Sequence, residues 1–517
     1  MKLNYKRTIL VGFAFFLISA FWQAYDATIP MILTNKFGMS QTWSGVIMAA
    51  DNILAVFLLP LFGSLSDKVS TRHGRRTPFI TIGTTIAAVA LIVLSFVDNA
   101  QLQNISAVSA IDDPAALQVI YDSQSGNELI TPEGDKFVLG EVFTEEQFTA
   151  IESKVTDTQT GKEITNPDYT NYVAPARQAY AWQATAESPA TLVFFVGVLL
   201  ILLVAMATFR SPAVALMPDV TVKPLRSKAN AVINLMGTAG GILVLVLGMV
   251  FATSAVRNAM MRYTVFYAVI AAIMVGALVI FLLTVREKAW AEQMRADSIT
   301  YGIEEEQEAS DKKRSLSRSE KTSLILILLS IALWYFGYNA VTSKYSVYAI
   351  NILDKDYNTT MLLAQAAAIV AYLPAGMVAS KIGRKKTILA GVTMLATAFF
   401  SASFMRAGSP TWLMNVFFAL AGIAWATINV NSFPMVVEMC SGADIGKYTG
   451  FYYTASMTAQ IITPMVSGFL MDQMGMTVLF PYAAVFVALA FVTMFLVKHG
   501  DAKIVAKKGL EALDIDD

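Results

Sequence analysis

The stretch Gly63-Ser64-Leu65-Ser66-Asp67-Lys68-Val69-Ser70-Thr71-Arg72-His73-Gly74-Arg75-Arg76-Thr77-Pro78 joins two long apolar blocks near the start of the chain. Its features come in a specific order: a helix end of small residues, an acid, a tight glycine turn and a basic cluster. Much later the chain reads Gly376-Met377-Val378-Ala379-Ser380-Lys381-Ile382-Gly383-Arg384-Lys385-Lys386. The small-residue helix end, the glycine turn and the cations return in the same order. A second pair keeps the same register. One block ends Arg210-Ser211-Pro212 and Met217-Pro218-Asp219, followed by Arg226; another ends Asn431-Ser432-Phe433-Pro434 and Glu438, followed by Lys447. In both, an acid closes one helix and a base opens the next.

Working outward from these repeats, the chain divides into apolar blocks of about twenty residues or more, each long enough to cross a ~30 Å hydrocarbon core as a helix. The blocks are 8–33, 42–66, 78–97, 190–218, 229–253, 263–285, 322–349, 359–379, 386–405, 410–436, 447–470 and 476–497. The composition agrees: 56% of the 517 residues are hydrophobic and only 15% charged, where a soluble chain carries about 25% charged. The ten-residue alternation of membrane barrel strands is absent. The expected fold is therefore an all-α polytopic membrane protein of twelve transmembrane helices in two six-helix halves. Its segments are 1–97 (helices one to three), 98–189 (a polar insertion), 190–285 (helices four to six), 286–321 (a linker), 322–497 (helices seven to twelve) and 498–517 (a tail). The basic start Met1–Arg7 precedes an apolar stretch reaching Leu33, too long for the core of a cleavable signal, so it reads as an uncleaved first span.

Positive charge orients the spans. The clusters at Lys2, Lys6 and Arg7, at Lys68–Arg76, at Lys223–Lys228, at Lys381–Lys386 and in the tail all fall on one side if spans alternate. Both termini are then cytoplasmic and 98–189 faces outward, as in a bacterial inner-membrane protein. Lys36, Arg257, Arg262, Lys355 and Arg406 are the exceptions. The acidic insertion holds strand fragments at Lys136–Leu139 and Val155–Thr165, with a turn at Thr160-Gly161; it either folds as a small domain or stays loosely ordered. The linker should contain an amphipathic helix around Arg286–Arg295. Lys+Arg and Asp+Glu balance at 38 each, so no charge excess points to nucleic acid. With one cysteine and two histidines, no internal disulfide and no His/Cys metal cluster is available. Neither a phosphate-binding loop nor a nucleophile elbow is present, so an enzyme is not expected and no cofactor is implied.

The Gly63…Asp67…Gly74-Arg75-Arg76-Thr77-Pro78 stretch resembles the cytoplasmic loop signature of the major facilitator superfamily. Its spacing between Asp67 and Gly74 is similar to that of the sucrose-type sugar:proton symporters and the glycoside–pentoside–hexuronide:cation symporters. Phe336-Gly337-Tyr338-Asn339-Ala340 and Asn429-Val430-Asn431-Ser432-Phe433-Pro434 look like bacterial members of that group. The resemblance covers the spans and not the insertion. It implies the fold, secondary transport by alternating access and, less specifically, a sugar. Ser380 stands where the superfamily often has an acid, which implies a looser second gate.

Three charges lie well inside spans: Asp26, Asp51 and Arg210. Each costs roughly 2.5–3.5 kcal/mol at a helix centre on insertion scales, so a functional role is the default, against a structural ion pair as the alternative. Counting residues from the span ends sets all three at similar depth. Stripes at helical spacing support a common cavity: Ser19, Gln23 and Asp26; Asn230, Asn234 and Gly241; Thr449, Tyr453, Ser456 and Gln460. Such stripes also serve as glue between helices. Asn52, Tyr338, Asn339, Gln365, Asn429 and Asn431 complete the polar candidates for solute or cation. Trp22, Tyr25, Trp334 and Trp425 supply flat faces on which a sugar ring could pack. Lys344, near the end of span seven, is expected to snorkel to the interface.

Both histidines fall in polar segments, so coupling to a proton or sodium ion would use Asp26 and Asp51. Asp67 with Arg75 or Arg76, Asp219 with Arg226, and Arg384, Glu438 and Lys447 in the second half are the candidate cytoplasmic gate. The leading expectation is a sugar or glycoside:cation symporter working as a monomer in the bilayer. The alternatives are an exporter of drugs or metabolites on the same fold, for which the cavity is unusually polar, and a membrane sensor using the outer insertion, for which duplicated gates have no use.

Overall fold

A computed structural model describes residues 3–156, 161, 163–222, 225–300, 316–437, 439 and 445–500. The first half is built from α1 (Tyr5–Asn35), α2 (Gln41–Lys68) and α3 (Thr77–Asn104). A lobe follows with α4 (Pro114–Gln124), β1 (Glu128–Ile130), β2 (Lys136–Val138), α5 (Leu139–Val142), α6 (Glu145–Thr149), β3 (Lys154–Thr156), β4 (Glu163–Thr165) and α7 (Ala174–Glu187). The half is completed by α8 (Ala190–Val220), α9 (Arg226–Val250) and α10 (Thr264–Thr284), and α11 (Glu287–Thr300) opens the linker. The second half comprises α12 (Arg318–Tyr348), α13 (Tyr357–Ile382), α14 (Arg384–Ala402), α15 (Thr411–Val437), α16 (Ile445–Met474) and α17 (Leu479–Leu496).

Local sequence sets the helix starts. Asn4 accepts from Arg7 N at the head of α1, and Ser317 and Glu320 form a capping box before α12. Pro78 sits in the first turn of α3, where its missing N–H is not needed. Among the described residues, nine helices are long and apolar enough to cross a membrane; α13, α14 and α16 pack between them. Each half has its own core. One gathers Ile80, Leu94, Phe195, Met206 and Phe281, the other Ile331, Trp334, Val392, Phe418 and Val487. In the first half α1 lies along α9 and α3 along α8; in the second α12 lies along α17 and α13 along α15. Across the halves α2 packs on α16 and α9 on α13.

The repeated turns have matching backbones. Gly74 (φ 121°) and Gly383 (φ 95°) both adopt a conformation that L side chains rarely take. A Cβ at Gly74 would also collide with the Glu287 carboxyl.

α3 runs seven residues past its expected end at 97, to Asn104. This carries Asp98 into the bundle, where it meets Lys36 in an ion pair of 2.6 Å with both side chains fully buried. Lys36 Nζ also donates to Met261 O, and its own carbonyl accepts from Gln101. Lys36 is one of the cations on the outer side by charge counting, and its buried partner Asp98 explains that exception.

The lobe folds around Leu117, Ile120, Leu139, Phe148, Tyr169 and Val173, so the loosely ordered alternative is overturned. Arg177 ties its start together, donating to the carbonyls of Val108, Ala110 and Ile111. β1 and β2 pair antiparallel, as do β3 and β4; the turn residue Thr160 lies outside the described residues. The lobe is continuous with the first half and touches the second through Thr165 on Asp354, Pro132 O on Met476 N, and Glu133 near Arg406. Below, the lobe end of the bundle is the end it covers. The basic end is the one bearing the Gly74 and Gly383 turns.

Candidate functional site

α1, α2 and α8 bring the three intramembrane charges into one neighbourhood. Asp51 lies within Coulombic range of both Asp26 and Arg210. Among the described residues none of the three forms an ion pair within 4 Å, so they are not a closed structural bridge. Asn52 donates to Asp51 at 2.7 Å, and the Arg210 guanidinium lies over the Trp22 ring at 5.6 Å. Trp22, Gln23, Asp26, Asp51, Asn52 and Arg210 are all half-buried although they sit deep in the bundle. Partial accessibility at that depth means that they line an interior cavity. Tyr25 stands behind Trp22, edge to face at 5.4 Å and 3% exposed.

The opposite wall is aromatic. Tyr338 on α12 and Trp425 on α15 stack in parallel, with centroids 3.7 Å apart at 5°. Tyr335 meets Trp425 edge-on at 5.3 Å and bonds to Tyr452; Tyr372 bonds to Asn429. Tyr338 is within Coulombic range of Asp26, so this wall faces the charged one. The two join where Gln365 Nε2 donates to Gln23 Oε1 at 2.6 Å. Several polar atoms here are buried without a partner: Trp22 Nε1, Tyr25 OH and Asn339 Nδ2. An unpaired buried donor is costly, so each of these atoms calls for a partner such as water or a bound solute.

Two expected members do not reach this cavity. Trp334 is 1% exposed within the core of the second half; the neighbouring Tyr335 takes the cavity side of α12. Asn431 is 2% exposed and donates to Thr427 O in its own helix, a structural role. Asn234 is exposed on α9 and bonds Asn230; Gln460 is half-buried on α16. Lys344 does not snorkel: it is 0% exposed and donates to Gln41 O across the halves at 2.6 Å.

At the basic end, Asp219 accepts from both Arg75 and Arg76, and Arg76 also reaches Asp67 and Ser66. Its hydrogen bonds to Asp219 hold the Arg75 guanidinium above its ordinary value. The expected Asp219–Arg226 pair is not formed; Arg226 donates to the carbonyls of Thr221 and Pro218. The reason lies in geometry: Asp219 still belongs to α8 and faces the α2–α3 turn. Glu287, unsuspected from sequence, is 2% exposed and caps α3 through Arg75 N, Arg76 N, Thr77 N and Thr77 Oγ1. The whole cluster lies in the first half and its linker helix. Arg384 is 3% exposed, Glu438 lies outside the described residues, and the Lys447 side chain is likewise not described.

Hydrogen bonds between halves among the described residues lie at mid-depth or at the lobe end. At the lobe end Thr253 bonds Tyr357 and Asn358, Ser254 bonds Asp356, and Asp472 holds Gln41 and Thr42. Partial burial pushes the Asp356 carboxyl up, but hydrogen bonds from Ser254, Thr359 and Asn358 outweigh it and hold the group below its ordinary value. Among the described residues, the hydrogen bonds that join the halves thus lie at the lobe end and at mid-depth.

Comparison with known proteins agrees with this architecture. Residues 349–513 match the Major Facilitator Superfamily profile and residues 10–108 that of MFS/sugar transport proteins. An MFS-type transporter, ppzB, of Metarhizium rileyi is 27% identical over 136 residues, covering 26% of this chain and 27% of that protein. The sucrose transport protein SUC3 of Arabidopsis thaliana is 34% identical over 67 residues, covering 13% of this chain and 11% of its own length. The chain thus aligns with only a minor part of these relatives. In fold, the inward-open xylose transporter XylE from E. coli superposes with a TM-score of 0.58 at 16% identity, over 99% of both chains. The nucleoside transporter NupG superposes with a TM-score of 0.53 at 14% identity, over 94% of this chain and 98% of that one.

Proposed function

We propose that this chain, a multi-pass membrane transporter of major facilitator type and not an enzyme, moves a small sugar or glycoside together with a proton or sodium ion. α1–α3, α8–α10 and α12–α17 are the twelve spans. The lobe faces outward, both termini face the cytoplasm of a bacterial cell, and one chain suffices for transport. The observation that carries this reading is the pairing of unpartnered donors with stacked rings in one interior cavity. Among the described residues, Trp22 Nε1 and Asn339 Nδ2 have no hydrogen-bond acceptor. Sugar hydroxyls and ring oxygens supply acceptors, and a pyranose face packs on Trp425 or Tyr338. Asp26, which makes no hydrogen bond among the described residues, is the group that binds the cation. Asp51, held by Asn52 and facing Arg210, is the second carboxylate of the pair.

The cycle follows from the geometry. The bonds that join the halves at the lobe end support an inward-facing state, in which the cavity exchanges solute with the cytoplasm. The Asp67–Arg76–Asp219 cluster closes the cavity from the inside when the halves rock the other way.

The purified chain in proteoliposomes tests this. Labelled mono- and disaccharides are offered under an imposed proton or sodium gradient. One saccharide class should accumulate, driven by one of the two ions. No saccharide movement under either gradient, with extrusion of apolar amphipaths instead, would replace the symporter by an exporter.

A further inference from the structure

At the lobe end, the first turn of α2 is gripped by two charged residues of the other half. Asp472, near the end of α16, accepts from Gln41 N (2.8 Å), Thr42 N (2.7 Å) and Thr42 Oγ1 (2.5 Å). These amides are among the donors that a helix start leaves unpaired, and the partial positive charge there favours a carboxylate. Lys344, buried on α12, donates to the carbonyl of the same Gln41 at 2.6 Å. One residue of α2 thus gives its N–H to the acid and its C=O to the cation. α12 and α16 pack against each other within one half, and Lys344 and Asp472 lie within Coulombic range of each other.

We infer that Lys344 and Asp472 form a charge-exchange gate at the lobe end, closed on α2 in this structure and paired with each other when α2 withdraws. The exchange keeps both charges partnered in either state, which removes the penalty of an unpaired buried charge on opening. A second observation sets a cost against these contacts. Gln41 Oε1, Gln41 Nε2 and Ser44 Oγ are buried there without hydrogen-bond partners among the described residues, a cost that water relieves once the gate opens. Gains and cost sit on the same turn, the condition for a two-state element. The approach is close as well: a Cβ on Gly45 would strike Pro464 O, and one on Gly468 would strike Gln41 O. The two glycines let the backbones meet, and the two charges hold them there.

The gate rests on the transport reading, so its test reads conformation and not uptake. In a Cys440→Ser background, spin labels at Phe96 and Phe404 report the lobe end, and labels at Leu283 and Leu496 the basic end. All four positions are exposed. Distances are measured in nanodiscs for the parent and for Asp472→Asn, Asp472→Ala, Lys344→Met, the double variant Asp472→Ala/Lys344→Met, Thr42→Val and Gly468→Val. The parent should show mainly a short lobe-end distance and a long basic-end one. The double variant should raise the population with a long lobe-end distance about tenfold, the scale of one charge-assisted contact, while either single variant, Asp472→Ala or Lys344→Met, should raise it less, because the charge left behind is unpartnered only in the open state. Asp472→Asn and Thr42→Val should raise it less, and Gly468→Val should open the gate by bulk alone. If Gly468→Val opens the lobe end while the Asp472 and Lys344 variants and the mild Thr42→Val leave it closed, the charge gate is overturned and alternating access stands. If no variant moves the two ends in opposite directions, alternating access itself fails.

Discussion

The two walls of the central cavity are built from different chemistry. The wall of the first half carries the charges: Asp26 on α1, Asp51 on α2 and Arg210 on α8. The wall of the second half carries rings: Tyr335 and Tyr338 on α12, Tyr372 on α13 and Trp425 on α15, with the buried Tyr452 of α16 behind Tyr335. Duplicated halves have therefore diverged where they face each other, although their turns at Gly74 and Gly383 still match. The division suits coupled transport. A cation needs fixed carboxylate oxygens, whereas a sugar needs a flat apolar face and scattered hydrogen bonds. Under the proposed symport each duty falls on its own half, and rocking the halves would change both sites together.

The division can be broken from either side. The largest effect is expected on the charged wall. Asp26→Asn keeps the shape but cannot alternate in charge; gradient-driven accumulation should fall by roughly tenfold or more, while solute counterflow stays within about threefold of the parent. Accumulation and counterflow in the same vesicles decide it, and unchanged accumulation with the same ion dependence would make Asp26 structural. On the aromatic wall, Trp425→Ala should leave ion dependence intact and raise the half-saturation constant for solute by about tenfold, since ring contacts of this kind contribute about 0.5–1.5 kcal/mol beyond area burial. A lost ion dependence in that variant would dissolve the division. The smallest effect belongs to Trp334→Phe. This residue lies one position from the cavity-facing Tyr335 but inside the core. Transport constants should stay within about twofold, while thermal stability drops with the lost packing, of order 1–3 kcal/mol. A kinetic effect equal to that of Trp425→Ala would place Trp334 on the wall after all.

Much of this was legible in sequence because membrane helices announce themselves by length. The duplicated Gly-Arg turns and the depths of Asp26, Asp51 and Arg210 need only counting, and the structure gathers those three charges. Choosing between Trp334 and Tyr335 needs the rotation of α12, and adjacent residues on an apolar helix give no stripe from which to read it. Asn431 looked like a cavity amide because its bond to Thr427 O, four residues back, is invisible without coordinates. Lys344, Asp472 and Glu287 were missed or misread for one shared reason. Each acts on the start of a distant helix, Gln41 or Thr77, and no local pattern records a partner hundreds of residues away. The end of span three was placed too early because Asp98 and Gln101 look polar until Lys36 and Thr185 are found beside them.

The Lys36–Asp98 pair also bears on how the chain is made. Lys36 leaves the ribosome 62 residues ahead of Asp98. In that interval the first helix ends in an ammonium with no counterion, a poor resident of the bilayer. Arrival of α3 neutralises it and fastens the first helix to the third. Gln101, one turn further along, then fixes the Lys36 carbonyl and Thr185 in α7. Through Gln101, the ion pair that joins the ends of α1 and α3 is tied to α7, the last helix of the lobe.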